Sequence, residues 1–175
     1  MAALRRVGLA NKDVLHLLPN ICGCLVMISD HGRGTVGAKS DGRADIHYAF
    51  DPADLDRIKE GLIHTARVLF AGGARQVTAP IHRVGLVDNV ADFEAMVRPR
   101  VITDFTMYAS HPMATCRMGL DPQTSVIDPT GQAHGLAGLY LADSSIFPSS
   151  LGVNPQLTTM AMATIIGRRL AADGG

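Results

Sequence analysis

The chain has 175 residues, a length at which a domain buries about 70% of its unfolded surface in a core. Hydrophobic residues make up 47% of it and charged residues 18%, a balance that excludes an intrinsically disordered protein. Its 16 basic residues balance 16 acidic ones, and without a long basic run this charge argues against a nucleic-acid surface.

The cysteines bear on the compartment and on metal binding. Cys22, Cys24 and Cys116 are an odd number without the spacing of a disulfide framework, which favours a reducing compartment. Cys22 and Cys24 also lack the spacing of a structural zinc site, so we predict no metal. No apolar run reaches the ~20 residues that span a bilayer, so we expect a cytoplasmic protein without a membrane span.

The first predicted elements are a strand and a hairpin. Residues 21–28 form a short apolar run bounded by turn residues, which predicts a strand. The glycines of residues 32–37 satisfy the G-x-G-x-x-G pattern, but a turn signal follows them instead of the helix that a dinucleotide-binding fingerprint requires. Two strands of a hairpin, at 35–38 and 44–50, explain this region better.

Two helices are predicted in the middle of the chain. Asp51 can cap the first one, Pro52 fits its first turn, and apolar residues then recur at intervals of three or four. The glycine pair at 72–73 predicts its end. A possible strand at 75–79 precedes a short helix predicted at 90–97.

The last part of the chain combines a strand, a loop and a helix. An apolar strand predicted at 138–142 ends in Asp143, and Asn154 with Pro155 opens a long apolar helix. Such a helix start presents unpaired N–H groups and the positive end of the helix dipole, which favour an electron-rich oxygen. The apolar stripe of this helix consists of Leu157, Met160, Ala161, Thr164 and Ile165.

His111 is the strongest candidate for chemistry in this part. An imidazole titrates near neutral pH and can accept the proton of an alcohol, although a histidine that is hydrogen-bonded in a loop is the alternative. Cys116 could act as a thiol nucleophile with His111, but no third, orienting residue is evident, and free cysteines more often pack as small apolar residues. The amide of Asn154 can cap the helix and still donate to a substrate hydroxyl.

Three motifs carry a family resemblance: H-P-M-A-T-C-R-M-G from His111, V-I-D-P-T-G-x-x-H-G-L-A-G-L-Y-L-A-D-S-S-I-F-P from Val126, and G-V-N-P-Q-L-T from Gly152. They make the chain similar to the carboxyl-terminal region of the glucose–methanol–choline (GMC) family of FAD-dependent alcohol oxidoreductases. The similarity is dense over residues 108–170 and looser over 21–79. Ala114 stands where the family pattern commonly has glycine.

The resemblance implies a site and a cofactor. In the family, the histidine at the position of His111 faces the flavin and acts as the base, and Asn154 matches the second catalytic residue. The implied cofactor is FAD, which accepts the hydride of the alcohol. Its implied binding residues are Asp143, Ser144, Asn154, Pro155, Gln156 and Leu157.

The resemblance also implies an α/β fold with α+β character, in which a substrate-domain sheet has flanking helices. Residues 1–137 would belong mostly to the substrate-binding domain, and residues 138–175 would supply the last strand and helix of a Rossmann-like FAD-binding domain. The amino-terminal fingerprint of the family is missing here. We therefore expect a fragment that binds little or no FAD alone and exposes apolar faces.

The expected substrate is a small-molecule alcohol, and a separate FAD-binding half or a second copy of the chain would be the protein partner. Two alternatives stay open. The chain could be a non-catalytic half that only complements a separate FAD-binding chain, or a thiol-dependent hydrolase built on Cys116 and His111.

Overall fold

The structure, a computed structural model, describes residues 16–173, and these form a mixed fold of helices and a small antiparallel sheet. They divide into two compact units, one made of residues 16–27 and 55–107, the other of residues 28–54 and 108–173. Within residues 16–173, none of the helices combines the length and the apolar character that a membrane crossing requires. The elements are β1 (Arg33–Ala38), β2 (Ala44–Ala49), α1 (Pro52–Ala71), α2 (Val90–Val97) and α3 (Gln156–Asp173), with short 3-10 turns at Leu18–Asn20, Ile102–Asp104 and Ser144–Ile146.

The predicted hairpin is confirmed. β1 and β2 pair in antiparallel register with Val36 opposite Ile46, and Gly42 adopts a φ of +80° in the turn between them. Glycine takes up this left-handed conformation without steric cost, which is why the turn forms here. Because a strand follows the glycines of β1, they are not a dinucleotide-binding fingerprint.

Helix α1 begins and ends as its sequence predicts. The carboxylate of Asp51 accepts a hydrogen bond from the N–H of Ala53 at 2.8 Å. Gly73 has a φ of +92°, and the N–H of Ala74 donates to the carbonyl oxygen of Leu69 at 3.0 Å, which closes the helix. The buried residues of its apolar face are Ile58, Leu62, Ile63 and Ala66.

Helix α2 covers the predicted residues 90–97. Asn89 caps it by accepting from the N–H of Asp92 at 2.9 Å, and its Phe93 and Val97 are buried. An ion pair joins α2 to α1, with Arg67 Nη2 at 3.3 Å from Glu94 Oε2. α2 therefore packs against the part of α1 that belongs to the same unit, residues 55–71.

The other three predicted strands do not form. Residues 21–28 have no regular secondary structure, and the segments at 75–79 and 138–142 are reduced to single bridges, Val77 with Val87 and Tyr140 with Gln132. A strand needs a partner along several residues, whereas in the described part of the chain residues 21–28 form no bridge and the other two segments form one bridge each. The prediction of a strand was wrong for all three segments.

The core of the second unit is centred on Ile127, which is fully buried together with Ile146. Helix α3 contributes Ile166 to this core, so the face of α3 that carries Ile166 is the buried one. The opposite face carries the predicted apolar stripe and is exposed, with Leu157 at 81% and Ile165 at 55% of their full accessibility. The expected exposure of an apolar face is thus present in the structure.

Candidate active site

A cleft in the second unit brings together most of the predicted site residues. Its volume is about 480 Å³. The residues that line it are Ser110, His111, Pro112, Ser144, Asn154, Pro155, Gln156, Thr159 and Met160. Another concavity, of about 350 Å³, lies on the hairpin and contains none of the predicted site residues.

The loop that carries His111 has no regular secondary structure and is held at its far end. The N–H of Cys116 donates to the carbonyl oxygen of Ser145 at 3.0 Å, and the N–H of Met118 donates to that of Ile146 at 2.8 Å. These two bonds tie the loop to the 3-10 turn at Ser144–Ile146. The imidazole of His111 is half-buried and makes no hydrogen bond to the described residues, so its nitrogens remain available to a bound molecule.

Ala114 lies in the same loop with a φ of +65°, in the left-handed region. A side chain with a Cβ adopts this conformation at a cost of about 1–2 kcal/mol, whereas glycine adopts it freely. The backbone geometry therefore explains why glycine is common at this position of the family pattern.

The start of α3 differs from its prediction by one residue. The helix begins at Gln156, which places Pro155 in the capping position, and the Pro155 carbonyl oxygen accepts the N–H of Thr159 at 2.8 Å. The predicted cap bond of Asn154 is not formed, because its side chain lies one residue too early, and its amide has no hydrogen-bond partner among residues 16–173. The amide of Asn154 is therefore free at the cleft.

The first N–H groups of α3 are also unpaired. The N–H groups of Gln156 and Leu157 have no acceptor among the described residues, as expected for a helix start that lacks a side-chain cap. The side chain of Leu157 is exposed and does not line the cleft. Its contribution to the site is thus limited to its backbone.

Asp143 lies outside the cleft lining and has a local structural role. Its carboxylate accepts the N–H of Ser145 at 2.7 Å and so caps the turn at Ser144–Ile146. This turn presents the side chain of Ser144 to the cleft, where Ser144 Oγ lies 2.8 Å from Thr159 Oγ1. Of the residues predicted to hold the cofactor, the cleft collects Ser144, Asn154, Pro155 and Gln156.

Sequence reasoning missed Ser110, Pro112, Thr159 and Met160 as cleft residues. A signal existed for Thr159, since it follows Pro155 by four residues and therefore lies on the same face of a helix that begins there.

The polar groups of the cleft are mostly uncharged. Its lining contains an imidazole, two amides and three hydroxyls, but no Asp, Glu, Lys or Arg. Within residues 16–173 there is also no group of three or more His, Cys, Asp or Glu side chains that could hold a metal ion. Such a lining suits a neutral molecule that carries hydroxyl groups.

The second sequence motif forms a support for this site. Asp128 accepts the N–H and the hydroxyl of Thr130 at 2.7 and 2.6 Å, and the hydroxyl bond lowers the pKa of the Asp128 carboxyl. Gly131 has a φ of +91°, and a Cβ at this position would lie 2.8 Å from the side chain of Ile166. The turn therefore needs glycine in order to pack against α3.

His134 belongs to the same motif and has a structural role. Its Nε2 lies 3.2 Å from the carbonyl oxygen of Gly119 and 3.0 Å from Ser125 Oγ. A carbonyl only accepts, so Nε2 carries the proton and cannot take one from Ser125. The pair is not a nucleophile with its base.

A match to a known protein family identifies the family of the chain. The family model of the carboxyl-terminal domain of GMC oxidoreductases matches residues 30–163. The chain belongs to the GMC oxidoreductase family. The match is to the carboxyl-terminal domain of such proteins. The chain spans about a quarter or less of the length of the relatives described below.

Several of these relatives are oxidases. The chain is 32% identical to a long-chain-alcohol oxidase of Arabidopsis thaliana over 151 residues, which cover 81% of the chain and 20% of that protein. It is 34% identical to the 6'''-hydroxyparomomycin C oxidase of Streptomyces lividus over 127 residues, 73% of the chain and 19% of that protein. It is also 32% identical to an uncharacterized GMC-type oxidoreductase of Mycobacterium tuberculosis over 154 residues, 88% of the chain and 24% of that protein.

A solved structure shares the fold. The crystal structure of pyridoxine 4-oxidase is similar with a TM-score of 0.61 and 22% sequence identity, over 83% of this chain and 28% of that one. This likeness supports the mixed helix-and-sheet fold of the chain.

Proposed function

We propose that this chain is part of an FAD-dependent oxidoreductase that oxidises the CH–OH group of a small-molecule alcohol. Membership of the GMC family and the oxidases among its relatives support the reaction class. The observation that carries the proposal is the cleft itself, where an unpaired imidazole, an unpaired amide and an open helix start meet without a competing charge.

His111 would act as the base. Its imidazole makes no hydrogen bond within the described residues, so it is ready to accept the hydroxyl proton of an alcohol that enters the cleft. Asn154 would hold the substrate oxygen, because its free NH₂ group donates to an oxygen whose negative charge grows as the proton leaves.

The residues of the chain fit FAD at the start of α3. The unpaired N–H groups of Gln156 and Leu157 offer hydrogen-bond donors to an electron-rich oxygen, and no carboxylate lines the cleft to repel it. Ser144 and Pro155 would complete the contacts to FAD in the cleft. Asp143, which lies outside the lining, would contribute by capping the turn that carries Ser144. When bound, FAD supplies the acceptor for the hydride of the alcohol.

The two-domain assignment belongs to the same proposal. Residues 1–137 would serve mostly the substrate-binding domain, and residues 138–175 would complete an FAD-binding domain. Within residues 16–173, the G-x-G-x-x-G pattern lies on the hairpin, so the pyrophosphate of FAD would need a turn from elsewhere. The activity therefore belongs to the chain in combination with an FAD-binding region.

The thiol-dependent hydrolase has no support from the site. Cys116 does not line the cleft that contains His111. Its backbone N–H donates to the carbonyl oxygen of Ser145, which ties this part of the loop to the 3-10 turn. We therefore assign Cys116 a packing role.

The test uses a chimera in which residues 30–173, which contain the family match and the whole of α3, replace the corresponding region of the Arabidopsis long-chain-alcohol oxidase. Substituting His111 by Ala should lower the rate of anaerobic flavin reduction by a long-chain alcohol at least ~10²-fold, the usual effect of losing a positioned base. The bound flavin should remain, because His111 is assigned to proton removal.

The matched control is His64→Ala. His64 is exposed on α1 in the other unit, and its loss should leave the rate unchanged. A His111→Ala chimera that reduces its flavin at the parental rate would overturn the proposed function.

A further inference from the structure

Two hydroxyl side chains meet in the wall of the cleft. Ser144 Oγ and Thr159 Oγ1 lie 2.8 Å apart, both residues are half-buried, and both line the cleft. Ser144 begins the 3-10 turn, and Thr159 belongs to the first turns of α3. The contact thus joins the two elements that carry the predicted cofactor-binding residues.

A third group fixes the direction of this hydrogen bond. Thr159 Oγ1 also lies 2.9 Å from the carbonyl oxygen of Pro155, which can only accept. The single hydroxyl proton of Thr159 must point at Pro155, because otherwise the lone pairs of two oxygens would face each other. Thr159 Oγ1 then accepts a hydrogen bond from the Ser144 hydroxyl, so Ser144 Oγ presents only lone pairs to the cleft.

We propose that Thr159 is a positioning residue that holds Ser144 as a hydrogen-bond acceptor in the cleft, and that Ser144 binds a hydroxyl group of the bound molecule. A hydroxyl fits because it donates to Ser144 while it accepts from a donor such as the amide of Asn154 or the free N–H of Gln156. The inference rests on the proposed function, which supplies hydroxyl groups from two sources, the alcohol substrate and the ribityl chain of FAD.

The first experiment tests the hydrogen bond between Ser144 and Thr159 without any ligand. In the 175-residue chain, Ser144→Ala, Thr159→Val and the double variant are unfolded with urea. Each single variant should lower the midpoint, and the double variant should lower it no further than the worse single variant, because both substitutions remove the same bond. Fully additive effects would overturn the proposal.

The second experiment identifies the hydroxyl group in the chimera described above. The Kd for FAD is measured by flavin fluorescence, and the KM for a long-chain alcohol by anaerobic flavin reduction. Thr159→Val should raise one of these constants about 5–10-fold, the size of one lost hydrogen bond, and Thr159→Ser should restore it to within about twofold. A change in Kd assigns the ribityl chain, and a change in KM assigns the substrate. No change in either would overturn the proposal.

Thr164→Val is the matched control. Thr164 Oγ1 makes the same type of bond, to the carbonyl oxygen of Met160 at 2.8 Å in the same helix, but Thr164 is exposed and lies outside the cleft. Thr164→Val should leave Kd and KM unchanged. An increase as large as that caused by Thr159→Val would show that the effect comes from the helix and would overturn the proposal. If Thr159→Val changes Kd or KM while His111→Ala leaves the rate of flavin reduction unchanged, the proposed base is refuted and the assignment of Ser144 stands.

Discussion

Helices α1 and α3 begin with similar sequences, Asp51-Pro52 and Asn154-Pro155, but their starts differ in the structure. In α1 the proline is the first helical residue, and the carboxylate before it accepts the N–H of Ala53 at 2.8 Å. In α3 the proline stands in the capping position, so the asparagine side chain before it caps nothing.

The difference shows what a helix start can be used for. The side chain of Asp51 satisfies one of the N–H groups at the start of α1, which stabilises the helix. The N–H groups of Gln156 and Leu157 stay unpaired at the start of α3, next to a cleft that also holds His111. One start serves the fold, and the other remains available to a ligand.

Asp54, in the first turn of α1, carries the largest expected effect. Its carboxylate is fully buried and accepts the N–H groups of His31 at 2.9 Å and Gly32 at 3.1 Å. Asp54→Ala removes the acceptor of both bonds and should lower the free energy of unfolding of the chain by about 2–3 kcal/mol, measured by urea denaturation. Asp56→Ala, at an exposed position of the same helix, should change it by less than about 0.5 kcal/mol. Equal effects of the two substitutions would refute this role of Asp54.

Asp51→Ala should have the next largest effect. It removes the cap of α1 and should lower the free energy of unfolding by about 1 kcal/mol. Asp51→Ser, which keeps an acceptor at the same place, should recover most of this loss. The prediction fails if Ser and Ala destabilise the chain equally.

Asn154→Ala should have the smallest effect on stability, below about 0.5 kcal/mol, because the Asn154 amide makes no hydrogen bond within the described residues. In the chimera, the same substitution should lower the rate of anaerobic flavin reduction about 10-fold, the size of one hydrogen bond to the substrate. A destabilisation as large as that of Asp51→Ala would show that Asn154 caps α3 after all and would remove the contrast between the two starts.

The candidate site was predictable in part, since the predicted residues Asp143 and Leu157 do not line the cleft. The motif resemblance led to His111, Ser144, Asn154 and Gln156, and the structure places all four around the same cleft. Their roles in catalysis and cofactor binding remain predictions. Thr159 was not predictable in the same way, because its place in the cleft depends on where α3 begins and on the turn that brings Ser144 to it.

By itself, the sequence determined the elements that depend on neighbouring residues. The glycine turn of the hairpin, the cap of α1 at Asp51, its end at Gly73 and the bounds of α2 follow from local conformational preferences, and all are present. The tertiary structure alone decided whether residues 21–28 and 138–142 became strands, since a strand depends on a partner that is distant in sequence.

The orientation of α3 was also decided by tertiary structure. The helix has apolar residues on more than one face, so its periodicity favoured the stripe that contains Leu157 and Ile165, whereas the core around Ile127 selected the face of Ile166. The sequence determined that α3 exists, and packing against the core determined which side is buried. Gly131 leaves room for that side, because a Cβ there would lie 2.8 Å from the side chain of Ile166.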